Sequence, residues 1–260
     1  MSTPMITYFS TVARLFHRGI RYSTVIDLGC ADGHFFLAMS GYGLASGTVP
    51  LNIDANKVYE DSLKEIKEVM GGEYCITAVS DKVGEINFTE AAHPYWSSMR
   101  TEDDPYWSRI NNLSTAKATV PATTLDKLFE DLALKPPFLV KLDVQGAETA
   151  ALRGGSRMLA NSHIVIVECD MDDFQDINTL LVGAGFYLED LTGLMRLPDE
   201  TLGWFYAVYA SNQFAHLRPR AIWNAEQNMD VIGQQVDRRK RILEANANYL
   251  NKIRARKGTT

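Results

Sequence analysis

Val25-Ile26-Asp27-Leu28-Gly29-Cys30-Ala31-Asp32-Gly33-His34-Phe35 is the stretch whose reading decides the fold. Its apolar opening reads as a buried strand that stops at Gly29. Gly29 and Gly33 bracket a polar turn, and Phe35 to Met39 reads as a helix. A strand, a glycine-containing turn and a helix start are the parts of a nucleotide site at the carboxyl edge of a parallel sheet. Gly29 has no Cβ, so the sequence predicts that its backbone lets a ligand pass close by.

The turn departs from the dinucleotide pattern Gly-x-Gly-x-x-Gly. Ala31 replaces the middle glycine, and Asp32 stands where phosphate would lie. A carboxylate there repels a phosphate and attracts an ammonium group. S-adenosylmethionine carries an ammonium, a sulfonium charge and no phosphate, so the acidic turn favours it over a nicotinamide dinucleotide. Val49 to Ile53 reads as the second strand, and Asp54 follows it, 21 residues beyond Gly33. An acid at that spacing is placed to accept hydrogen bonds from ribose hydroxyls. The plainer alternative is an aspartate that caps the helix starting near Asn56.

The 260 residues are 46% hydrophobic and 22% charged, enough to bury a substantial core in one domain with an appendage. The formal net charge of −6 argues against general nucleic-acid binding, which wants a basic face. Cys30, Cys75 and Cys169 are far apart and form no Cys-x-x-Cys, so neither a zinc knuckle nor a disulfide framework is expected, and a reduced cytoplasm is the default. Ile6, Phe9, Val12, Ala13, Phe16 and Ile20 fall at mostly helical spacing. With Arg14 and Arg18 between them they read as an amphipathic helix packed on the domain, or lying on a membrane surface, rather than as a signal peptide. No run is long and apolar enough to span a bilayer.

Further on, Val58 to Met70 reads as a helix ended by Gly71-Gly72, and Tyr74 to Val79 as a third strand closing on Ser80-Asp81. Ser80 or Asp81 could bond an adenine amino group or merely form the turn that Gly84 completes. Glu85 to Glu90 reads as a short strand. Ala91 to Pro121 shows no periodicity and holds His93, Tyr95, Trp96, Ser97, Ser98, Tyr106, Trp107, Asn111 and Asn112. It reads as a lid or binding loop suited to a sugar or another polar ring, or as a loop pinned down by its aromatics. His93 is a candidate general base. Thr123 or Thr124 caps the next helix, and Pro136-Pro137 halts the chain. Phe138 to Asp143 is a buried strand with a charged end, Leu152 to Leu159 a helix, and His163 to Val167 a strand ending in Glu168 and Asp170. Phe174 to Val182 is a helix, and Phe186 to Asp190 with Trp204 to Ala210 form the last strand pair. Such alternation predicts a doubly wound α/β sheet with an antiparallel edge. From Trp223 to Lys257 one long amphipathic helix is expected, basic at Arg238 to Arg241; such charges most commonly mark a solvated face, and otherwise a homo-oligomer contact or an acidic partner.

These blocks resemble the FkbM family of S-adenosylmethionine-dependent methyltransferases. The matching pieces are Val25 to Gly33, Asn52-Ile53-Asp54-Ala55-Asn56, Ala78 to Gly84, Thr124-Leu125-Asp126, and Lys141-Leu142-Asp143-Val144-Gln145-Gly146-Ala147-Glu148. The last is the most specific, because the family has Lys-x-Asp-x-Glu-Gly-x-Glu there; Gln145 replaces the first Glu. The resemblance implies a class I methyltransferase fold, Rossmann-like, and O-methylation of sugars or secondary metabolites. On this reading residues 1–23 are an N-terminal helical segment, 24–212 the methyltransferase domain and 213–260 a helical extension.

The candidate cofactor-binding residues are Asp27, Gly29, Asp32, Gly33, Asp54, Asn56, Ser80 and Asp81. The candidate catalytic residues are Asp143, Lys141 and Glu168. Asp143 ends its strand facing the place of the transferred methyl, and Lys141 shares its face one step deeper, where it could hold the acid ionised. Glu168 and Asp170 end the neighbouring strand, so acids from two strand ends could bind Mg²⁺. Otherwise Asp143 takes the acceptor's proton directly or through His93, or the carboxylates cap helices or bond the amino acid end of the cofactor. Glu148 could serve the helix dipole alone. The expected acceptor is a small molecule or glycan hydroxyl. Competing readings are a nicotinamide-dependent reductase and a non-catalytic module that recruits a partner through its C-terminal helix.

Overall fold

Thr24–Leu28 (β1) and Phe138–Leu142 (β7) are buried along their whole lengths, as only the central strands of a sheet covered on both faces can be. They lie side by side and parallel, with Ile26 opposite Val140 and Leu28 opposite Leu142. The computed structural model to which they belong describes residues 7–91, 97 and 115–218. The helix expected over Trp223–Lys257, its basic cluster, and His93 with most of the expected lid lie outside the described residues. Contacts divide the chain into Met1–Ala215 and His216–Thr260, and the elements below belong to the first unit.

The main sheet adds Val49–Asp54 (β2), Glu73–Ile76 (β3), Ser162–Asp170 (β8), Phe186–Arg196 (β9) and Leu202–Ser211 (β10). Its order is β3-β2-β1-β7-β8-β10-β9. The first five strands run parallel, and β10 is antiparallel to both β8 and β9. This is the Rossmann-like doubly wound sheet with an antiparallel edge that the sequence predicts. Its apolar side chains, from Ile26 and Leu51 through Val140 and Val165 to Phe205 and Tyr209, form one continuous core. The helices are Tyr8–His17 (α1), His34–Gly41 (α2), Glu60–Met70 (α3), Leu125–Asp131 (α4), Glu148–Arg153 (α5), Ser156–Ala160 (α6) and Phe174–Gly183 (α7).

Local chemistry accounts for the element ends. Thr7 and Ser10 form a capping box at α1, and Thr124 Oγ1 accepts from Lys127 N to start α4. The α1 helix buries Thr11, Val12 and Leu15, and it is tied to β9 by Arg14 on Asp190 and Arg18 on Glu189 (2.7 Å). It packs on the domain, the first of the two readings its apolar stripe allows.

Three elements differ from the expected ones. Tyr74 to Val79 is not one strand: the chain leaves the main sheet at Thr77, whose hydroxyl donates to Pro121 O, and Ala78–Val79 (β4) joins a second sheet. That sheet has the order β4-β6-β5, with Gly84–Ala91 (β5) antiparallel to Thr115–Thr123 (β6). β6 falls in the stretch that shows no periodicity. Its small and polar residues give little contrast between faces, and Pro121 argues against a strand. The β4 ladder begins only at Ala122, so on that side the missing N–H of Pro121 costs no bond. Finally, the single helix expected to end at Leu159 is two short ones broken at Gly154-Gly155. A Cβ on Gly154 would lie 2.3 Å from the Ser80 carbonyl oxygen, so that close approach fixes the break.

The strand order reverses between β1 and β7, and at this switch point the two strand ends are held very close. Asp143 N donates to Leu28 O at 3.0 Å. A Cβ on Gly29, whose φ is +69°, would lie 1.9 Å from the Asp143 carbonyl oxygen. The neighbour that demands a glycine here is therefore the chain itself rather than a ligand. Gly29→Ala is expected to cost about 3 kcal/mol, combining left-handed strain with overpacking. Urea unfolding checks this; an unchanged midpoint would show that the strand ends can separate freely.

Candidate active site

In open α/β sheets ligands bind outside the carboxyl ends of the strands where the order reverses. Here that crevice is a cavity of about 900 Å³, walled at one end by Gly29, Ala31, Asp32, Asp54, Tyr59 and Val79, and at the other by Asp143, Gln145, Glu168, Asp170, Trp204 and Tyr206.

The turn after β1 has already spent its amides. Gly29 N and Cys30 N donate to Ile53 O at 2.9 and 3.1 Å, and Gly33 N donates to Cys30 O at 2.8 Å. Ala31 N donates to Asp54 Oδ2 at 2.8 Å, and His34 N to Asp32 Oδ1 at 3.3 Å. Nothing resembling a nest of free N–H groups faces the cavity from these five positions. Ala31 reaches this turn with φ +49°.

Asp54 knits this end together. Its second oxygen accepts from Asn56 N at 2.8 Å, a local turn bond and not the expected helix cap, which Asn56 itself supplies, and Asp54 lines the cavity. Burial raises its pKa, against the pull of the Asn56 and Ala31 amides. Asp32 lies in the wall, hydrogen-bonded to the His34 ring (2.9 Å). Gly29 is in the wall as well, whereas Asp27, Gly33, Asn56, Ser80 and Asp81 lie outside it. Gly33 is turned to α3, where a Cβ would meet Ile66 at 2.3 Å. Asn56 caps the turn Lys57–Tyr59 and donates to Ser97 Oγ at 3.4 Å. Ser80 is buried against Thr123 and Gly154, and its hydroxyl donates to Asp81 Oδ1. Asp27 is fully buried beneath the site.

The opposite end is a cluster of buried charge. Lys141 Nζ stands 3.1 Å from Asp143 Oδ2 and 3.5 Å from Asp27 Oδ1, with the Phe35 ring beside it at 5.6 Å. Burial works against its charge, but Asp143 and Asp27 outweigh burial and its pKa is raised. Asp143 Oδ2 also accepts from the Tyr206 hydroxyl at 2.9 Å, and Oδ1 accepts from Gln145 Nε2 at 2.9 Å. Burial alone would push Asp143 up; the Lys141 charge and the bonds from Glu168, Tyr206 and Lys141 bring it below the usual carboxylate range. Glu168 goes the other way, raised by burial and by the Asp143 charge, so a proton on this pair is held more readily by Glu168 than by Asp143. Tyr206 stands opposite Glu168 across the β8–β10 ladder, and the Tyr8 ring of α1 packs on Tyr206 at 4.8 Å.

Glu148 is not merely a dipole partner. Its two oxygens accept from Val144 N and Gly146 N, both at 2.9 Å, and so fix the turn that presents Asp143 and Gln145. The Mg²⁺ expectation fares less well. Asp170 Oδ1 accepts from Asp172 N and Asp173 N, which start the next turn, and Glu168 Oε2 accepts from Gln145 Nε2. Among the described residues no three acidic, histidine or cysteine side chains are grouped to hold a metal. Sequence reasoning missed Tyr206 and Trp204, because which face of a late strand joins the cavity depends on register. It also missed His34, which reads simply as the first residue of a helix.

Asp27 and Glu148 bind protons more tightly than exposed carboxyls. Burial pushes Asp27 up to about 6 despite Lys141, and pushes Glu148 up to about 7 despite its amide partners. A group with a raised native pKa gives stability that is complete below its unfolded pKa and lost as pH rises through the native one. That component is therefore full below about pH 4 and declines through about pH 6 to 7. In Asp27→Asn part of it is gone, so the urea midpoint is expected to drop less between pH 4.5 and pH 8 than in the wild type. Equal drops would contradict the assignment.

The Methyltransferase FkbM domain matches residues 27–188 of the chain. No curated protein matches it. Among solved structures, the precorrin-6y C5,15-methyltransferase of Geobacter metallireducens is 8% identical at a TM-score of 0.41, covering 81% of this chain and 93% of that one. Streptococcus pneumoniae Sp1610, a proposed tRNA (m1A22) methyltransferase solved with S-adenosyl-L-methionine, is 12% identical at 0.44, covering 92% and 90%. TrmK of M. capricolum, solved with S-adenosylhomocysteine, is 9% identical at 0.40, covering 80% and 69%. The matched span 27–188 is more than half of the chain and holds the glycine turn, Asp54 and the Lys141–Glu148 block, and the chain belongs to the FkbM methyltransferase family.

Proposed function

We propose that this chain transfers a methyl group from S-adenosylmethionine to a hydroxyl of a carbohydrate or similar polar metabolite. The observation that carries the reading is the state of the turn after β1. Its amides at 29, 30, 31, 33 and 34 are all engaged within the chain, so none of these five is left for a pyrophosphate, and Asp32 would repel it. A cofactor with a cationic amino acid end and a ribose fits this donor set, with Asp32 near the first and Asp54 toward the second. The reductase reading loses its phosphate site. A cavity of about 900 Å³ is at the upper end of the usual range, room for a cofactor and a small acceptor. The acids at its far end support a neutral hydroxyl over a phosphodiester chain as acceptor.

When bound, the cofactor supplies a methyl group on a sulfonium, an electrophile that needs no further activation. The task left to the chain is to align the acceptor oxygen and take its proton. Asp143 lines the cavity, and an acceptor O–H reaches it by taking over the place on its carboxylate that the Glu168 bond holds. A sugar hydroxyl is roughly ten pK units less acidic than a carboxylic acid, about 14 kcal/mol at 1.36 kcal/mol per unit. Asp143 therefore does not strip the proton in advance. It orients the hydroxyl and receives the proton as the new C–O bond makes that oxygen acidic. Lys141 keeps Asp143 ionised, and Tyr206 fixes its plane.

Incubation with S-adenosylmethionine labelled in its methyl group and fractionated glycans or hydroxylated metabolites is expected to label one such fraction. Asp143→Asn is expected to lower that labelling about 10²–10⁴-fold, as loss of a proton-accepting group does, while S-adenosylhomocysteine still binds. Asp54→Ala is expected to abolish S-adenosylhomocysteine binding in calorimetry. Full labelling by Asp143→Asn, or unchanged affinity in Asp54→Ala, refutes the corresponding role.

A further inference from the structure

Gln145 has an unusual backbone for its residue type. Its φ is +52°, a left-handed conformation that side chains other than glycine and asparagine seldom take. The side chain is what gains from this. Its Nε2 lies 2.9 Å from Asp143 Oδ1 and 2.7 Å from Glu168 Oε2. A primary amide nitrogen carries two hydrogens, and these two bonds use both. The other oxygen of Asp143 is served from below and from the side by Lys141 and Tyr206.

The consequence is electrostatic. Carboxyl groups at two adjacent strand ends, with the mouth of a cavity above them, are an arrangement a divalent cation can bridge. Here an uncharged double donor stands on the oxygens that would face such an ion. We propose that Gln145 is a positioning residue: its carboxamide clamps Asp143 to Glu168 and takes the place of a divalent cation, so that the acid end of the cavity works without one. The inference rests on the reading of Asp143 as the proton acceptor. The charged and titratable groups around the clamp are Asp27 on β1, Lys141 on β7, Glu148 on α5, Tyr206 on β10 and Tyr8 on α1. Lys141 is the one cation among these groups, and it bonds Asp143 Oδ2, the oxygen that Gln145 does not use.

A carboxylate at 145 would remove both donor hydrogens and put three acids within one bond length of each other, which a proton or a divalent cation must then relieve. Titration of the full chain with Mn²⁺, followed by electron paramagnetic resonance, reads this directly. The wild type is expected to leave Mn²⁺ free. Gln145→Glu is expected to bind one Mn²⁺ at least about tenfold more tightly, a 1.4 kcal/mol difference, and to lose it again when combined with Glu168→Gln. Gln145→Gly suits the left-handed backbone and removes the clamp without strain. It keeps the fold and gains Mn²⁺ affinity over the wild type, so the test survives if Gln145→Glu does not fold. The proposal is overturned if the wild type binds Mn²⁺ tightly and Glu168→Gln removes it, or if folded Gln145→Glu and Gln145→Gly both behave as the wild type does. S-adenosylhomocysteine affinity measured in the same samples separates the two readings. A chain that fails to bind it refutes the cofactor assignment and leaves the Mn²⁺ result to judge the clamp.

Discussion

One buried ammonium group organises the site. Lys141 is almost completely withdrawn from water, between a fully buried Asp27 and a mostly buried Asp143. Burying one unpaired charge of this kind costs several kcal/mol, and its carboxylate partners offset that cost only while the geometry holds. The geometry comes from the sheet. Asp27 and Lys141 are register partners on β1 and β7, the two strands that meet at the switch point. Asp143 follows two residues later on the same face. A one-residue slip of β7 against β1 would turn Lys141 into the opposite core and away from Asp27. The same pairing then biases the acids above it: the Lys141 charge lowers Asp143, and the Asp143 charge adds to burial in raising Glu168.

The glycines follow from the same closeness. Gly29 is needed because the Asp143 carbonyl occupies the space where its side chain would be, and Gly33 because its φ of +79° is left-handed. The turn is built to be tight and internally bonded, and its ligand-facing chemistry is left to carboxylates. That separates it from a phosphate-binding turn, where the glycines free the amides for the ligand. Family membership and this donor set point in the same direction from independent starting points, one from the order of residues along the chain and the other from where the hydrogen bonds go.

The parts of this arrangement that were legible in the sequence are those written in local pattern. The continuous apolar runs of β1, β7 and β8 mark central strands, and alternation along β7 puts Lys141 and Asp143 on one face. The interval from Gly33 to Asp54 places an acid at the end of the second strand. The parts that were not legible depend on contacts between distant segments. Nothing around Ser80 shows that Gly154 will close over it on the far side of the strand. The Thr115–Thr123 strand has too little contrast between its faces to be seen before β5 pairs with it. Tyr206 reaches Asp143 only through the β8–β10 register, 63 residues away. Gln145, read alone, is the loss of an acid; beside Asp143 and Glu168 it becomes the donor both of them use.

The central claim is that the crevice at the β1–β7 switch point is built for a cationic nucleoside and lacks a seat for pyrophosphate. Titration calorimetry of the full chain with S-adenosylhomocysteine and, separately, with NADH tests it most directly. The account predicts one S-adenosylhomocysteine bound per chain and no heat from NADH. Binding of NADH with equal or greater affinity, or no binding of S-adenosylhomocysteine, would contradict it.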